Sequence, residues 1–239
     1  MQQTMTPQML PLPAPELGAV YSYAWERGKQ TWGPLLLVGI VAGAVFGIAY
    51  IPLIVLQVIA AVAGASNSDG GTAVAVVMGL LAAVYGVLFF LATIPLTFGG
   101  FYAVLKAARG EAPQVGDLFS CYRRHLGASI GAGMLMGLAI GVGSFFFIIP
   151  GLILAVKLIF VPFLVADEGL GAIDALKESW RRTEGYFWPL VGAGIVGQLI
   201  MYAGALLFGV GMIPAAIWVY LALATYFAAI SAVKRPIAA

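Results

Sequence analysis

A single lysine lies inside an otherwise apolar stretch of the chain. Lys157 stands within residues 150–166, about seven residues from the end at Pro150, or roughly 10 Å along a helix. An ammonium there can coordinate an anion or a lipid phosphate, but it can also snorkel, bond carbonyls freed by Pro150 or Pro162, or face a polar cavity. The apolar stretches contain no Asp or Glu to offset its charge, and this absence argues against coupling to protons or sodium ions.

Two pairs of adjacent arginines, Arg123-Arg124 and Arg181-Arg182, each follow an aromatic residue. A guanidinium binds phosphate through two parallel hydrogen bonds, so the pairs predict a cradle for lipid head groups or other anions. The competing interpretation is an aromatic belt with snorkelling cations, which anchors helices without binding a ligand. The anchors in that case are four tryptophans: Trp25, Trp32, Trp180 and Trp188.

The composition favours a membrane protein over an enzyme in solution. Of the 239 residues, 62% are apolar and 9% are charged, and the mean hydropathy is +1.01, whereas soluble domains average roughly 45–50% apolar and about 25% charged residues. This difference excludes a soluble enzyme, a disordered chain and a nucleic-acid-binding protein. One histidine and one cysteine predict neither a metal site nor an internal disulfide, and no cofactor is expected.

A possible catalytic pattern is present at residues 127–131, which read G-x-S-x-G as in serine hydrolases. That pattern works on a strand–turn–helix elbow, whereas here it opens an apolar helix. His125 lies four residues before Ser129, and no acidic residue can be assigned to orient it. We therefore expect no catalytic residue.

Six apolar segments are long enough to span a bilayer or nearly so. They cover about 33–62, 73–104, 127–149, 150–166, 188–209 and 212–232, and a spanning helix needs roughly 20 residues. The first two exceed that length and must tilt, bend or project. Residues 1–15 contain four prolines and no basic residue, which predicts a flexible lead before a single membrane domain, 16–239.

Every basic residue except Lys157 lies before the first apolar segment, in every second connection between segments, or after the last segment. Lys and Arg concentrate on the cytoplasmic side of membrane proteins. Both termini are therefore predicted to be cytoplasmic.

A repeat precedes the three hairpins that these segments would form. An offset of 155 residues aligns Trp25-Glu26-Arg27 with Trp180-Arg181-Arg182, and Tyr122-Arg123-Arg124 takes the same place in the middle. We predict an all-α, polytopic fold of three hairpin units, about 16–110, 111–168 and 169–239. Each unit begins with a cytoplasmic amphipathic helix lying in the membrane interface, the first at residues 17–31.

Two ridges of glycine at four-residue spacing indicate closely packed helices. They are Gly39, Gly43 and Gly47 in the first segment, and Gly133, Gly137 and Gly141 in the third. Small residues at this spacing lie on one helix face and let a neighbour approach. Packing within the chain is the simpler interpretation, and a homodimer seam is the alternative.

Residues 150–188 resemble the membrane domain of glycerophosphodiester phosphodiesterases and its stand-alone bacterial relatives. The similarity rests on residues 150–157, 161–169, 172–180 and 183–185. This resemblance implies a bacterial inner-membrane protein. In that family a basic residue is common at the position of Lys157. The resemblance implies no phosphodiesterase activity, because that chemistry belongs to a separate soluble domain.

The sequence thus predicts a non-enzymatic, multi-pass membrane protein that binds or organises lipid, or a protein partner, at the cytoplasmic leaflet. Membrane lipids are the expected partners, and a homo-oligomer or another membrane protein stays open. The alternative function is a small channel or transporter with a path near Lys157. A transporter requires a polar cavity that reaches Lys157, whereas a lipid-binding protein requires a lateral groove or an exposed apolar seam.

Overall fold

The computed structural model describes residues 12–66, 68–146, 148–206 and 211–234, and in this part of the chain all regular structure is helical. The predicted lead at 1–15 and the end of the segment at 188–209 lie partly outside these residues. The helices are α1 (Leu17–Ala65), α2 (Asp69–Ala108), α3 (Ser120–Arg124), α4 (Leu126–Phe146), α5 (Ile148–Lys157), α6 (Val161–Glu168), α7 (Ala172–Thr183), α8 (Phe187–Leu206) and α9 (Met212–Lys234). A 3-10 helix, Val115–Phe119, precedes α3.

Six of the helical segments are long and apolar enough to cross a membrane, as predicted. They are α1, α2, α4, the pair α5 and α6 taken together, α8 and α9. With 49 residues α1 is roughly 73 Å long, and α2 with 40 residues is roughly 60 Å long. Both exceed the roughly 40–45 Å thickness of a bilayer with its head groups.

The first two helices form an antiparallel hairpin that is paired along its whole length. The Tyr23 hydroxyl donates to the Ala108 carbonyl near one end at 3.0 Å, and the Tyr85 hydroxyl donates to the Ala49 carbonyl further along at 2.6 Å. At the turn, the Ser68 side chain caps α2 by accepting from the Gly71 amide. These contacts set the register that brings the start of α1 to the end of α2.

The centre of the molecule is formed by α6 and α9. The rings of Phe163 and Phe227 are stacked 5.0 Å apart, and Phe160 and Phe101 pack edge-on against this pair. The most apolar stretch of α9 is 56% buried, whereas that of α1 is 0% buried. The middle of the long α1–α2 hairpin is therefore peripheral and exposes apolar residues such as Val58 and Leu80, whereas the start of α1 and the end of α2 belong to the core.

The first expected interfacial helix is not a separate element. Residues 17–31 continue without interruption through Gly33 and Pro34 into the rest of α1. A proline within a helix loses one backbone hydrogen bond, but the buried face runs on across it, with Thr31 on one side and Leu35 on the other. At the middle position the chain forms the 3-10 helix and the five-residue α3, so only α7 is a separate helix of more than five residues.

The fourth predicted segment is also interrupted. Helix α5 ends at Lys157 and α6 begins at Val161, with a turn over residues 158–160. Pro162 occupies the first turn of α6, where its missing N–H costs least. Lys157 therefore lies at a helix end rather than inside a continuous helix.

Candidate functional site

Arg182 is at the centre of a buried ion-pair network. The residue is only 5% exposed, and its guanidinium donates to both Glu168 carboxylate oxygens at 2.7 and 2.8 Å. It also donates to Glu178 at 2.7 Å and to the Ser231 hydroxyl at 2.7 Å, and it lies over the Phe227 ring. This residue therefore joins α6, α7 and α9 and has an internal role.

Two further ion pairs lie at the end of α2. Arg109 forms a two-pronged pair with Asp167 at 2.6 and 2.7 Å, which ties α2 to α6. Lys106 contacts Asp117 in the 3-10 helix at 3.1 Å. The adjacent carboxylates at 167 and 168 are thus held by arginines from different helices.

The remaining predicted anion-binding arginines are exposed. Arg181 pairs with Glu178 at 2.6 Å, and its side chain is 57% exposed. Arg123 donates to the Gly116 carbonyl at 3.1 Å. Arg124 is exposed and has no hydrogen-bond or ion-pair partner among the described residues. The structure does not bring these three arginines together with Lys157 into one pocket lined by described residues.

Lys157 has an aromatic partner that the sequence did not identify. Its ammonium lies 5.1 Å from the centre of the Trp180 ring, a cation–π contact. Its carbonyl accepts a hydrogen bond from the Ser179 hydroxyl at 2.8 Å, and that hydroxyl also accepts from the Phe160 amide at 3.3 Å. Ser179 therefore satisfies two backbone groups that the break between α5 and α6 leaves free.

Replacing Ser179 with alanine is expected to cost about 1–3 kcal/mol of folding free energy. The side chain is fully buried, and its loss would leave a carbonyl and an amide without a protein partner. The exposed Ser22, changed to alanine, is the control and should cost about 0.5 kcal/mol or less. Thermal unfolding of both variants checks the prediction, and equal midpoints would contradict it.

Glu178 links stability to pH. Hydrogen bonds from Arg181 and Arg182 lower its pKa below the ordinary value of 4.5, although burial acts in the other direction. Because the folded-state pKa is lowered, this contribution to stability is present above pH 4.5 and is lost as the pH falls through the folded-state value. We expect Glu178→Gln to flatten the acid side of the stability profile, and Glu184→Gln, at an exposed position, to leave it unchanged.

The glycine ridges pack within the chain at one position only. A Cβ placed on Gly133 would lie 2.4 Å from the Ile94 side chain, whereas one on Gly137 or Gly141 would meet no described atom within 4 Å. The same open space surrounds Gly39, Gly43 and Gly47. No described atom approaches these five glycines closely, and the function of the two ridges stays a prediction.

Helices instead approach closely at glycines that the spacing argument passed over. Two of them are Gly99, whose added Cβ would lie 2.0 Å from the Leu118 carbonyl oxygen, and Gly151, which lies against the backbone of Ser144. Gly204 of α8 similarly faces the Gly211 carbonyl.

A large apolar cavity lies between α1, α2, α8 and α9. Its volume is about 710 Å³, which is within the range of pockets that hold small ligands. Its wall is almost entirely hydrocarbon, with the Thr97 and Tyr220 side chains as the polar exceptions. Representative lining residues are Leu36, Gly39 and Phe46 of α1, Gly100 and Val104 of α2, Met201 of α8, and Met212 and Ala216 of α9.

A second, smaller cavity of about 450 Å³ lies within the α1–α2 hairpin, between Leu53 and Gln57 on one side and Ala82 and Gly86 on the other. Lys157 lines neither of these two cavities.

Ser129 and His125 do not form a catalytic pair. The buried Ser129 hydroxyl donates to the Leu126 carbonyl at 2.9 Å. The His125 ring packs against Gly169 instead, where an added Cβ would lie 2.9 Å from the imidazole. The G-x-S-x-G pattern is thus part of a helix start.

Arg27 is a further buried cation that the sequence did not single out as a site. It is 1% exposed, its Nε donates to the Tyr23 hydroxyl at 3.1 Å, and its Nη1 donates to Gln30 at 3.3 Å. Its Nη2 has no partner among the described residues. The available signal was the repeat, which aligns Arg27 with Arg182.

In the part of the chain that the structure describes, the protein is all-helical, and six helical segments are long and apolar enough to cross a membrane. Residues 118–235 match the family described as a domain of unknown function (DUF7847). No curated protein and no solved structure matches the chain.

Proposed function

We propose that the protein is a non-enzymatic integral membrane protein that binds a lipid acyl chain in the cavity between α1, α2 and α9. The observation that carries the proposal is the apolar lining of this 710 Å³ cavity. An acyl chain needs hydrocarbon contact and no polar partner, so a wall with two polar side chains suits it. The peripheral middle of the α1–α2 hairpin, where apolar residues such as Val58 and Leu80 are exposed, would face the bilayer that supplies the chain.

The proposed setting is a bacterial inner membrane with both termini in the cytoplasm. The distribution of Lys and Arg supports this orientation. The ends of α2, α6 and α9, which carry Arg109, Asp167, Glu168 and Lys234, would then lie at the cytoplasmic leaflet. Arg123, Arg124 and Arg181 are exposed and could contact lipid phosphates there, with Trp25, Trp32, Trp180 and Trp188 as interfacial anchors, each of them exposed.

We also propose three related hairpin units. Two contacts support the first and third: Arg27 Nε binds the Tyr23 hydroxyl and Arg182 Nε binds Glu178, and the 155-residue offset aligns both members of each pair. The alternative function, a channel or transporter, requires a polar cavity that reaches Lys157. This alternative gains no support, because Lys157 lies against Trp180 and lines neither of the two described cavities.

Native mass spectrometry of the protein released from nanodiscs tests the proposed lipid site. We expect wild type to retain one phospholipid, and Gly39→Phe, which fills the cavity from α1, to lose it. Gly47→Phe is the matched control, because Gly47 is equally open but does not line the cavity.

Equal lipid retention by both glycine variants would overturn the proposal. The same spectra give the oligomeric state. A dimer that wild type forms and Gly47→Phe loses would assign the face that carries Gly43 and Gly47 to an interface between copies.

A further inference from the structure

Arg27 is buried without a carboxylate partner. All ten Asp and Glu residues lie in the described part of the chain, and none of them forms an ion pair with Arg27 there. A buried charge that lacks a counter-ion is costly unless another group compensates it. The groups that contact this guanidinium, Tyr23 and Gln30, are neutral.

The contrast with Arg182 shows which counter-charge is missing. Arg182 occupies the equivalent place in the repeat, and two carboxylates, Glu168 and Glu178, hold it. At the position equivalent to Glu178 the first unit has Tyr23. The Tyr23 hydroxyl, which accepts from Arg27, donates in turn to the Ala108 carbonyl. This carbonyl belongs to the negative end of the α2 helix dipole, which partly compensates the charge of Arg27.

Two neighbours of the Arg27 guanidinium matter for access to it. Gly110 packs closely against it with φ +87°, and a Cβ there would lie 3.1 Å from both Nη1 and Nη2, so a residue with a side chain would crowd both nitrogens. Gln30 is exposed, and its 3.3 Å hydrogen bond to Nη1 is long. Rotation of the Gln30 side-chain amide would free Nη1 of Arg27, which lies beside the unpartnered Nη2.

We propose that Arg27 binds a phosphate group through Nη1 and Nη2. A guanidinium presents two parallel N–H donors, which match two phosphate oxygens. The phosphate supplies the charge that Glu168 and Glu178 supply to Arg182. Its source is either a lipid head group or free phosphate, and the site does not depend on an acyl chain in the apolar cavity.

The test is thermal unfolding in phosphate-free maltoside detergent, with inorganic phosphate added at constant ionic strength. We expect the midpoint of wild type to rise by about 3 °C or more, and to saturate. Gln30→Glu provides the missing carboxylate within the chain, so its midpoint should start higher and not respond. Arg27→Met should not respond either, whereas Lys29→Gln, which removes an exposed cation, should respond as wild type does.

Native mass spectrometry of wild type and Gln30→Glu separates the two sources. A phospholipid that wild type retains and Gln30→Glu loses assigns the site to a lipid head group, with or without a response to inorganic phosphate. A phosphate response with equal lipid retention assigns it to free phosphate. If wild type does not respond and retention is equal, or if Gln30→Glu responds as wild type does, the proposal is overturned.

Discussion

Gly99→Ala is expected to destabilise the protein by about 3 kcal/mol or more. The added methyl would lie 2.0 Å from the carbonyl oxygen of Leu118 and 2.5 Å from its carbonyl carbon. Both atoms belong to the backbone of the 3-10 helix, so no side-chain rotation relieves the clash and α2 must move away. Overpacking of this kind costs about 1–3 kcal/mol or more, and a backbone obstacle places it at the upper end.

The neighbouring glycine provides a control with the opposite sign. A Cβ on Gly100 would lie 3.8 Å from the Leu118 side chain, an ordinary contact, and alanine is favoured over glycine in a helix by up to about 1 kcal/mol. Gly100→Ala should therefore be neutral or stabilising. Unfolding in mixed micelles, followed by circular dichroism, measures both variants, and equal effects would show that α2 and the 3-10 helix are not in close contact.

Arg182→Gln is expected to cost about 3–5 kcal/mol. Removal of one partner from a buried ion pair is strongly destabilising, and here Glu168 would lose both of the hydrogen bonds that Arg182 donates to it. The junction of α6, α7 and α9 would lose its shared contact. The same unfolding assay gives the free-energy difference.

Arg181→Gln separates this effect from a general loss of positive charge. Arg181 is adjacent in sequence and also bonds Glu178, but its side chain is 57% exposed. Exposed ion pairs contribute about 0–1 kcal/mol, so this variant should stay close to wild type. A large loss for Arg181→Gln, or a small one for Arg182→Gln, would contradict the assigned roles.

The sequence was sufficient to predict the helical segments, because the length and polarity of a segment are local properties of the chain. Five of the six apolar segments each overlap one long helix, and the sixth, 150–166, is divided between α5 and α6. The break at Lys157 was missed, because it depends on Ser179, which satisfies the freed backbone groups from a separate helix.

Tertiary partners could not be inferred from spacing. The arginine pairs were treated as equivalent, yet Arg182 is buried and Arg181 is exposed, because only one of them faces α6 and α9. The glycine ridges were assigned to packing by their regular spacing, whereas Gly99 lies against the backbone of the 3-10 helix without belonging to a ridge. In each case a neighbour distant in sequence decides the outcome.

The central claim, an acyl chain in the cavity between α1, α2 and α9, can be tested by photo-crosslinking. The probe is a phosphatidylglycerol with a diazirine in its acyl chain, incorporated into nanodiscs, and labelled peptides identify the contact sites. We expect adducts concentrated on Met201, Met212 and Tyr220, which line the cavity, and their loss in Gly39→Phe. Labelling spread evenly over exposed residues such as Val58 and Leu80, and unchanged in Gly39→Phe, would contradict the claim.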